Sequence, residues 1–368
     1  MLNKYIDFSK YDMTLLAAVC VAVVFGAAMV FSTSVIMAEL RWDNPFLFMR
    51  RQVVWVGLGF LAMCTTAFLI DYRLYRKYAP LIFLISIILG ILVLTIGEVR
   101  GGARRWLAIG GFTVQPSEFA KLAMIIITAR YIEKKAKIMD QFKTIVPCLV
   151  LFVLVAVPIA LEPDLGTPLI IFMVLLALLF SAGMKLRVLL GVFAGAFFVG
   201  VLEILRKPYR IARVRDYFAS FFSVEGASYQ VQRSLYALGS GGLFGKGLGR
   251  SDMKLLYLPE AHTDFIFPII GEELGFVGTM GVMAFFIYFM HKGLTISRRA
   301  PDKFGEILAL GITLTIVFQA FFNMGVATGV LPAKGLPLPF ISFGGTALVI
   351  TMAATGILIN ISSKGKAK

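Results

Sequence analysis

Charged residues and cysteines are scarce in this chain. Asp, Glu, Lys and Arg make up 15% of the 368 residues, whereas hydrophobic residues make up 59% and the mean hydropathy is +0.85. Soluble globular domains have a charged fraction of roughly a quarter, so the composition excludes that class and predicts an integral membrane protein. The three cysteines stand apart inside apolar runs, without a Cys-x-x-Cys pair, and predict neither a disulfide nor a thiolate metal site.

Long uninterrupted apolar runs dominate the sequence. A helix needs roughly 20 apolar residues to cross a bilayer, whereas membrane strands show short segments of alternating polarity. Ten continuous runs predict an all-α integral membrane protein with ten transmembrane helices, in a single domain, 1–368. The first run is interpreted as a transmembrane helix that is not cleaved off, because it is too long for the core of a signal peptide. The predicted spans are 13–37, 53–70, 80–96, 116–132, 144–161, 167–184, 188–205, 264–290, 305–324 and 343–361.

The distribution of Lys and Arg predicts the orientation. With the N-terminus inside, the inner segments carry 19 of the 36 basic residues, as the positive-inside rule requires. Both termini are therefore predicted to be cytoplasmic, and the long loop 206–262, between the seventh and eighth spans, extracytoplasmic. Topology accounts for most of the net charge of +15, which argues against a nucleic-acid partner.

Four outer segments are unusually rich in polar residues, glycine and proline: 97–121, 161–168, 206–262 and 329–346. The inner connections are short and basic, so any chemistry is expected on the extracytoplasmic side. The glycine-rich stretch "LGSGGLFGKGLGRS" is not a phosphate-binding loop, because Lys246 is followed by glycine instead of Ser or Thr. It is interpreted as a close-packed or mobile turn, with no nucleotide.

The stretch "VQPSEFAK" places Glu118 and Lys121 three residues apart on one helix face, where opposite charges meet. A helix-start carboxylate with a snorkelling lysine is the simpler interpretation. Lys121 is, however, about one turn inside a membrane helix, where an ionisable group costs about 2.5 kcal/mol or more and usually faces a cavity. This favours a functional pair.

Two further groups of polar residues leave alternatives open. Asp164 of "LEPDLGTP" lies in a tight break between two spans, and either caps the next helix or serves the function. Arg210 and Arg213 of "RKPYRIARVR" recur at helix-like steps. They belong either to an amphipathic face on anionic headgroups, which is slightly favoured, or to a diphosphate site. Lys334, in the fourth outer segment, is a further candidate cation for substrate binding.

The stretch "LPEAHTDFIFPIIGEEL", 258–274, concentrates ionisable residues at the start of an apolar run. Asp264 is predicted in the first turn of the helix at the outer mouth, with Glu272 and Glu273 roughly 12 Å deeper. Burying a carboxylate in a membrane span is energetically costly, so these residues are expected to have a function. The alternative for Asp264 is a simple interaction with the helix dipole. His262 is either a base near neutral pH or a structural residue.

Five ordered motifs resemble the SEDS family (shape, elongation, division and sporulation). They are "RRWLAIGGFTVQPSEFAKL", "EPDLGTPLI", "GSGGLFGKGLG", "LPEAHTDFIFPIIGEELG" and "KGLPLPFISFGG". The resemblance runs from Tyr11 to about Ile361, and it is closer to the division and sporulation branch (FtsW and its sporulation relative) than to RodA. It implies a ten-helix bacterial cell-membrane protein that polymerises lipid II into peptidoglycan at the outer leaflet. Undecaprenyl diphosphate is the implied leaving group.

The resemblance also implies roles for residues. Asp264 matches the family's essential aspartate and is the expected general base for the acceptor hydroxyl. Glu118, Lys121 and Asp164 match residues of the family's central cavity. Cations, or a divalent metal such as Mg²⁺, are expected to stabilise the departing diphosphate. The expected substrate-binding residues are Glu118, Lys121, Asp164, Arg210, Arg213 and Lys334, with His262, Glu272 and Glu273 in support.

The resemblance implies partners as well. These are lipid II, the nascent glycan, a class B penicillin-binding protein that crosslinks the product, and the division, elongation or sporulation machinery. An alternative function is a flippase or other transporter of lipid-linked precursors, in which the intramembrane charges line a path. A non-enzymatic scaffold is a weaker alternative. The clustering of informative residues on one side favours the glycosyltransferase.

Overall fold

The computed structural model describes residues 8–100, 103–110, 112–206, 208–220, 222–255, 257–332 and 334–365. Each of the ten predicted runs coincides with a helix, and two further helices, α8 and α9, lie in the loop 206–262. The helices are α1 Met13–Trp42, α2 Leu47–Cys64, α3 Arg73–Ile96, α4 Pro116–Lys135, α5 Ile145–Leu161, α6 Gly166–Ser181, α7 Leu186–Leu205, α8 Pro208–Ala219, α9 Tyr229–Ser240, α10 Ile266–Arg299, α11 Lys303–Ala327 and α12 Gly345–Ser363.

The helical membrane fold is confirmed. Within the described residues, eight helices are long and apolar enough to cross a bilayer. The helix α6 is shorter, at 16 residues, and α4 begins with the charged pair Glu118 and Lys121. The number of ten membrane crossings therefore stays a prediction.

Several helices extend beyond the apolar runs. The helix α3 starts at Arg73, seven residues before the run 80–96, and α10 continues to Arg299. Hydropathy misses these ends because they carry charged side chains that face water. One of them, Arg76, forms an ion pair of 2.9 Å with Glu133 of α4.

A small antiparallel sheet interrupts the all-α architecture between α3 and α4. It has the order β1-β2-β3, and Ala103 and Leu107 of the middle strand are buried. Gly110, with φ +58°, follows the middle strand at the turn. The sequence analysis did not identify this sheet, because three short strands give too little alternation to be recognised. The strands are β1 Glu98–Arg100, β2 Ala103–Ile109 and β3 Phe112–Val114.

The core lies along α4, α11 and α12. Of the most apolar 18 residues of α12, 72% are buried, compared with 6% for α7. The helix α12 packs on α2, and α11 packs on α4, α6 and α10. The central position of α11 allows one helix to contact several parts of the candidate site.

The helix α10 is broken at Gly275, which has φ +69° and ψ −162°. Glycine tolerates this conformation, which side chains with a Cβ rarely adopt. The glycine-rich segment 241–247 replaces the hydrogen bonds that the break removes. The replacement bonds run from Lys246 N to Glu272 O (2.9 Å), Gly247 N to Glu273 O (2.9 Å), Phe276 N to Gly242 O (2.9 Å) and Val277 N to Leu243 O (3.1 Å).

The close approach of this segment to α10 depends on glycine. A Cβ atom on Gly241 would overlap the carbonyl oxygen of Gly271, and one on Gly245 would overlap that of Glu273. Of the two interpretations of the glycine-rich stretch, the structure shows the close-packed turn. Its backbone satisfies polar groups that a bilayer could not.

Candidate functional site

Asp264 lies in the turn that leads into α10. The helix begins at Ile266, so the prediction that Asp264 belongs to its first turn is wrong by two residues. The reason is a tight turn closed by Glu260, whose carbonyl oxygen accepts from Thr263 N and Phe265 N, at 3.1 Å each. Glu260 has φ +57°, which allows the chain to reverse there.

The segment before α12 holds this turn in place. Ser342 donates from Oγ to the carbonyl oxygen of Thr263 (2.5 Å), and Phe343 N donates to that of His262 (2.9 Å). The imidazole of His262 lies 4.8 Å from the Phe48 ring and 5.8 Å from the Phe343 ring, measured between centroids. Burial lowers the pKa of His262 below its ordinary value. These contacts favour the structural interpretation of His262.

The segment 334–337 is the point at which the candidate residues meet. A Cβ atom on Gly335 would lie 2.6 Å from Oδ2 of Asp264, so the carboxylate rests against bare backbone. Asn323 of α11 donates from Nδ2 to the carbonyl oxygens of Asp264 and Leu336, at 2.7 Å each. The aspartate is therefore positioned by α11 through a single amide side chain.

Lys121 and Glu118 form a buried ion pair, with 2.9 Å between Nζ and Oε2. Lys121 also donates to Oε1 of Gln319 (2.5 Å), and Gln319 donates from Nε2 to the carbonyl oxygen of Pro337 (2.9 Å). Gln319 and Asn323 are one helical turn apart on α11, roughly 6 Å along its axis. The predicted pair and Asp264 are thus both linked to the segment 334–337, through two amide side chains of α11.

The surroundings of Lys121 are tightly closed. The cavity between Lys121, Gln319 and Thr351 has a volume of about 30 Å³, which holds a water molecule but no sugar or diphosphate. In this conformation Lys121 contacts Glu118 and Gln319.

Asp164 caps α6. Its Oδ1 accepts from the N–H groups of Gly166 (2.8 Å) and Thr167 (3.2 Å), and its Oδ2 accepts from the Thr167 hydroxyl (2.7 Å). The capping alternative therefore describes its contacts. A Cβ atom on Gly166 would lie 3.3 Å from both Asp164 Oδ1 and Lys334 Cε, so Lys334 is beside this cap. The cap and the segment 334–337 form one wall of the site.

The electrostatic environment of Asp264 suits a base. Burial, followed by the charges of Glu260 and Asp164 and against a lowering by Arg105, raises the pKa of this partly buried carboxyl group to about 7. A carboxyl group with a pKa near the working pH is a more effective base than an ordinary aspartate. Asp264 can therefore accept a proton near neutral pH.

Arg105 and Glu162 belong to the same region. Arg105 of β2 donates from Nε to the Glu162 carbonyl oxygen (2.9 Å) and from an Nη to that of Pro163 (2.7 Å). Neither carboxyl oxygen of Glu162 has a hydrogen-bond partner within the described part of the chain. Burial, followed by the charge of Asp164, raises the pKa of Glu162 to about 8. Glu162 is thus mainly neutral at pH 7 and adds little negative charge.

Glu272 and Glu273 hold the loop 206–262 against α10. Glu272 accepts from Lys246 Nζ (2.7 Å) and from the Ser251 hydroxyl (2.5 Å). Glu273 pairs with the buried Lys254 at 2.9 Å, and it also accepts from the Ser32 hydroxyl of α1 (2.8 Å). These contacts couple α10 to the loop 206–262 and to α1.

The predicted arginines lie on α8. Arg213 is exposed and lies with Tyr217 beside Gly329 and Leu331. The backbone of Arg210 is helical, whereas its side chain lies outside the described residues. The predicted role of these arginines in diphosphate binding stays a prediction.

Three residues of the site escaped the sequence analysis: Arg105, Gln319 and Asn323. Gln319 and Asn323 gave a usable signal, because they are amide side chains four residues apart inside an apolar run. Polar residues within a membrane span usually face the bundle interior, and these two are buried. Arg105 was missed because its contact with Glu162 depends on the fold of the small sheet.

The acidic residues of the candidate site do not form a metal-binding cluster within the described part of the chain. Within the described residues, no three His, Cys, Asp or Glu side chains group together in a way that could hold a metal ion. The donor set thus does not fit a protein-built metal site, and no step of the reaction is assigned to one.

The fold and the site define a polytopic membrane protein with a partly buried carboxyl group at one end of a helix bundle. A family model described as a cell cycle protein, covering FtsW, RodA and SpoVE, matches residues 13–367. The chain therefore belongs to this family, the SEDS family that its motifs resemble.

Two curated relatives illustrate the similarity. Stage V sporulation protein E of Bacillus subtilis (strain 168) is 38% identical over 356 residues, which cover 95% of this chain and 96% of the relative. The probable peptidoglycan glycosyltransferase FtsW of Trichlorobacter lovleyi is 38% identical over 369 residues, covering 99% and 96%. Both belong to the branch that the motifs favour.

Two solved structures share the fold. One is described as "Structural coordination of polymerization and crosslinking by a peptidoglycan synthase complex", with a TM-score of 0.78 and 27% identity over 96% of this chain and 97% of that one. The other is the crystal structure of Thermus thermophilus RodA, with a TM-score of 0.71 and 26% identity over 97% and 98%.

Proposed function

We propose that Asp264 is the general base with which this peptidoglycan glycosyltransferase extends glycan strands from lipid II. The observation that carries the proposal is the position of its carboxylate, at a loop-to-helix junction against the bare backbone of Gly335, with a pKa of about 7. The carboxylate is half-buried, so an acceptor sugar can approach it while water is largely excluded.

The reaction requires one proton transfer and one displacement. The 4-hydroxyl oxygen of the acceptor sugar attacks C1 of the donor sugar, and its proton passes to Asp264. The bond from C1 to the diphosphate oxygen breaks, and undecaprenyl diphosphate leaves with that electron pair. Direct displacement converts an α-linked donor into a β-1,4 product, so no covalent glycosyl-enzyme intermediate is required.

The departing diphosphate needs positive charge. Lys334 lies next to Gly335 and beside the Asp164 cap, which makes it the cation of the site closest along the chain to the Asp264 contact. A participating Mg²⁺ would take its ligands mainly from the diphosphate, as Mg²⁺ commonly does, because the protein supplies no three-residue cluster in its described part. Lys121 supports the floor of the site through Gln319.

We place the reaction at the outer leaflet of the bacterial cell membrane, with both termini in the cytoplasm. The positive-inside count supports this orientation. A class B penicillin-binding protein is the proposed partner, which the similarity to the RodA-type synthase complex supports, since its description joins polymerisation with crosslinking. Which cell-wall process the chain serves, division, sporulation or elongation, depends on that partner.

The function is tested by incubating the purified chain with labelled lipid II, with and without a cognate transpeptidase, and separating the products by size. We expect glycan strands, and more of them with the partner. A parallel assay follows fluorescent lipid II across liposome membranes. Transbilayer movement without polymerisation would contradict the proposal and indicate the flippase alternative.

Lys121→Ala is expected to lower the polymerisation rate more than Arg213→Ala. The substitution leaves Glu118 buried without its ion pair and removes the support of Gln319, whereas Arg213 is exposed. The comparison is made with the labelled lipid II assay after matching the amount of folded protein. Equal losses would refute this ranking of the two cations.

A further inference from the structure

A second polar cavity lies at the opposite end of the bundle from Asp264, where α1 begins and α10 and α12 end. Its volume is about 630 Å³, and its wall includes Lys10, Asp12, Lys292 and Arg299. In the proposed orientation it opens at the cytoplasmic face. No part of the glycosyl-transfer site contributes to it.

The cavity carries an excess of positive charge. Lys292 pairs with Asp12 at 3.0 Å, and Asp12 also accepts from the Thr14 hydroxyl (2.6 Å) and from Leu15 N (3.1 Å). The charges of Asp12 and Lys292 therefore offset each other. Of the Asp, Glu, Lys and Arg residues that line the cavity, three are basic (Lys10, Lys292 and Arg299) and one is acidic, and Lys10 and Arg299 are exposed. The cavity is thus suited to an anionic group.

The surface next to the cavity is apolar. Met13 is at the first turn of α1, and Val21 and Val24 follow on the same helix, each 69% exposed. Ile287, on the neighbouring α10, is also exposed. The Tyr288 hydroxyl donates to Thr14 (3.0 Å) and joins the two helices beside the cavity. A ligand with a charged head and long apolar chains fits this combination better than a soluble anion or an acidic peptide.

We propose that this cavity binds the phosphate headgroup of an anionic phospholipid from the cytoplasmic leaflet, with the acyl chains along α1. Basic pockets between the cytoplasmic ends of membrane helices bind such headgroups. Arg299 presents a planar guanidinium that can hold two phosphate oxygens, and Lys10 adds a second cation. The lipid would fasten the start of α1 to the ends of α10 and α12.

The test measures lipid binding directly. The purified full chain is titrated with phosphatidylglycerol in detergent, and bound lipid is counted by native mass spectrometry. We expect the wild type to retain phosphatidylglycerol over phosphatidylcholine. The double substitution Lys10→Gln with Arg299→Gln is expected to weaken the first binding step by roughly tenfold or more.

The matched control is Arg298→Gln. Arg298 is exposed and adjacent in sequence, but it does not line the cavity. We expect this variant to bind phosphatidylglycerol like the wild type, and all variants to have the same thermal unfolding temperature. An equal loss in Arg298→Gln would show only a diffuse basic surface and overturn the proposal.

Two competition experiments distinguish a phospholipid from other anionic ligands. Glycerol 3-phosphate at millimolar concentration is expected not to displace phosphatidylglycerol. Displacement by it would assign the cavity to a soluble phosphate, and displacement by a polyglutamate peptide would assign it to a protein segment. Either result would overturn the lipid proposal while leaving the polymerisation assay unaffected.

Discussion

Asp264→Asn is expected to lower the rate of glycan polymerisation by roughly 100-fold to 10,000-fold, the range that a general base contributes. Asparagine has nearly the shape of aspartate, so the turn before α10 and its hydrogen bonds to Ser342 and Asn323 are retained. Its amide cannot accept the acceptor's proton at neutral pH. The rate is measured with labelled lipid II and the partner transpeptidase, after thermal unfolding has shown that the variant is folded.

The pH profile of the wild type gives an independent measurement. Because the pKa of Asp264 is raised to about 7, its basic form is present above that pH and is lost as the pH falls through it. The rate should therefore decline below about pH 7, whereas an ordinary aspartate would remain ionised to about pH 4. An unchanged rate in Asp264→Asn, or a flat profile between pH 5 and 8, would exclude Asp264 as the base.

Glu260→Gln is the matched control for this profile. Glu260 raises the pKa of Asp264 through its negative charge, while its carbonyl oxygen closes the turn. Glutamine retains the turn and can still accept from the Thr263 hydroxyl, but it removes the charge. The midpoint of the pH profile is expected to move to lower pH, with the maximal rate largely preserved. A midpoint that does not move would show that another group controls the profile.

Glu273→Ala is expected to destabilise the protein by about 3–5 kcal/mol, as the loss of one partner of a buried ion pair typically does. Glu273 is fully buried, and its partner Lys254 is 2% exposed, so the substitution leaves an ammonium group without its counter-charge. The Ser32 hydroxyl loses its acceptor as well. The unfolding free energy is measured in detergent micelles for the wild type and the variant.

The exposed pair Lys303–Glu306 is the matched control, because its N–O distance is 2.8 Å while its side chains are 34% and 39% exposed. Glu306→Ala is expected to cost about 1 kcal/mol or less. A second variant, Glu273→Ala with Lys254→Met, removes both buried charges and is expected to recover much of the stability. Equal losses in Glu273→Ala and Glu306→Ala would contradict the assigned role of burial.

Continuous apolar runs were sufficient to locate a helix at each of the ten predicted spans, because a bilayer leaves a spanning segment few alternatives to a helix. The cost of charge in or at the mouth of a span likewise singled out Glu118, Lys121 and Asp264. The structure links them to the segment 334–337 through Gln319 and Asn323. The partners of Glu272 and Glu273 were not predictable. Lys246 and Lys254 are 26 and 19 residues away, and no local periodicity links them.

The small sheet that carries Arg105 was also missed. Its strands are three to seven residues long, and the pairing that creates them depends on a turn rather than on a repeating pattern. Asp264 was predicted in the first turn of α10, whereas the helix begins two residues later, after a turn that the carbonyl oxygen of Glu260 closes. Hydropathy records side chains and therefore cannot detect such a turn.

The break in α10 has a mechanical consequence for the carboxylate. The stretch 266–274 is a nine-residue helical segment. Asn323 and Ser342 hold the turn before its first residue, and the segment 241–247 binds its last residues. The remaining part of α10, 276–299, is bonded to the same segment through Phe276 N and Val277 N. The segment 241–247 therefore clamps both sides of the break. The direction of the stretch that leads to Asp264 is thus set relative to 276–299 by the hydrogen bonds of a loop instead of by a continuous helix.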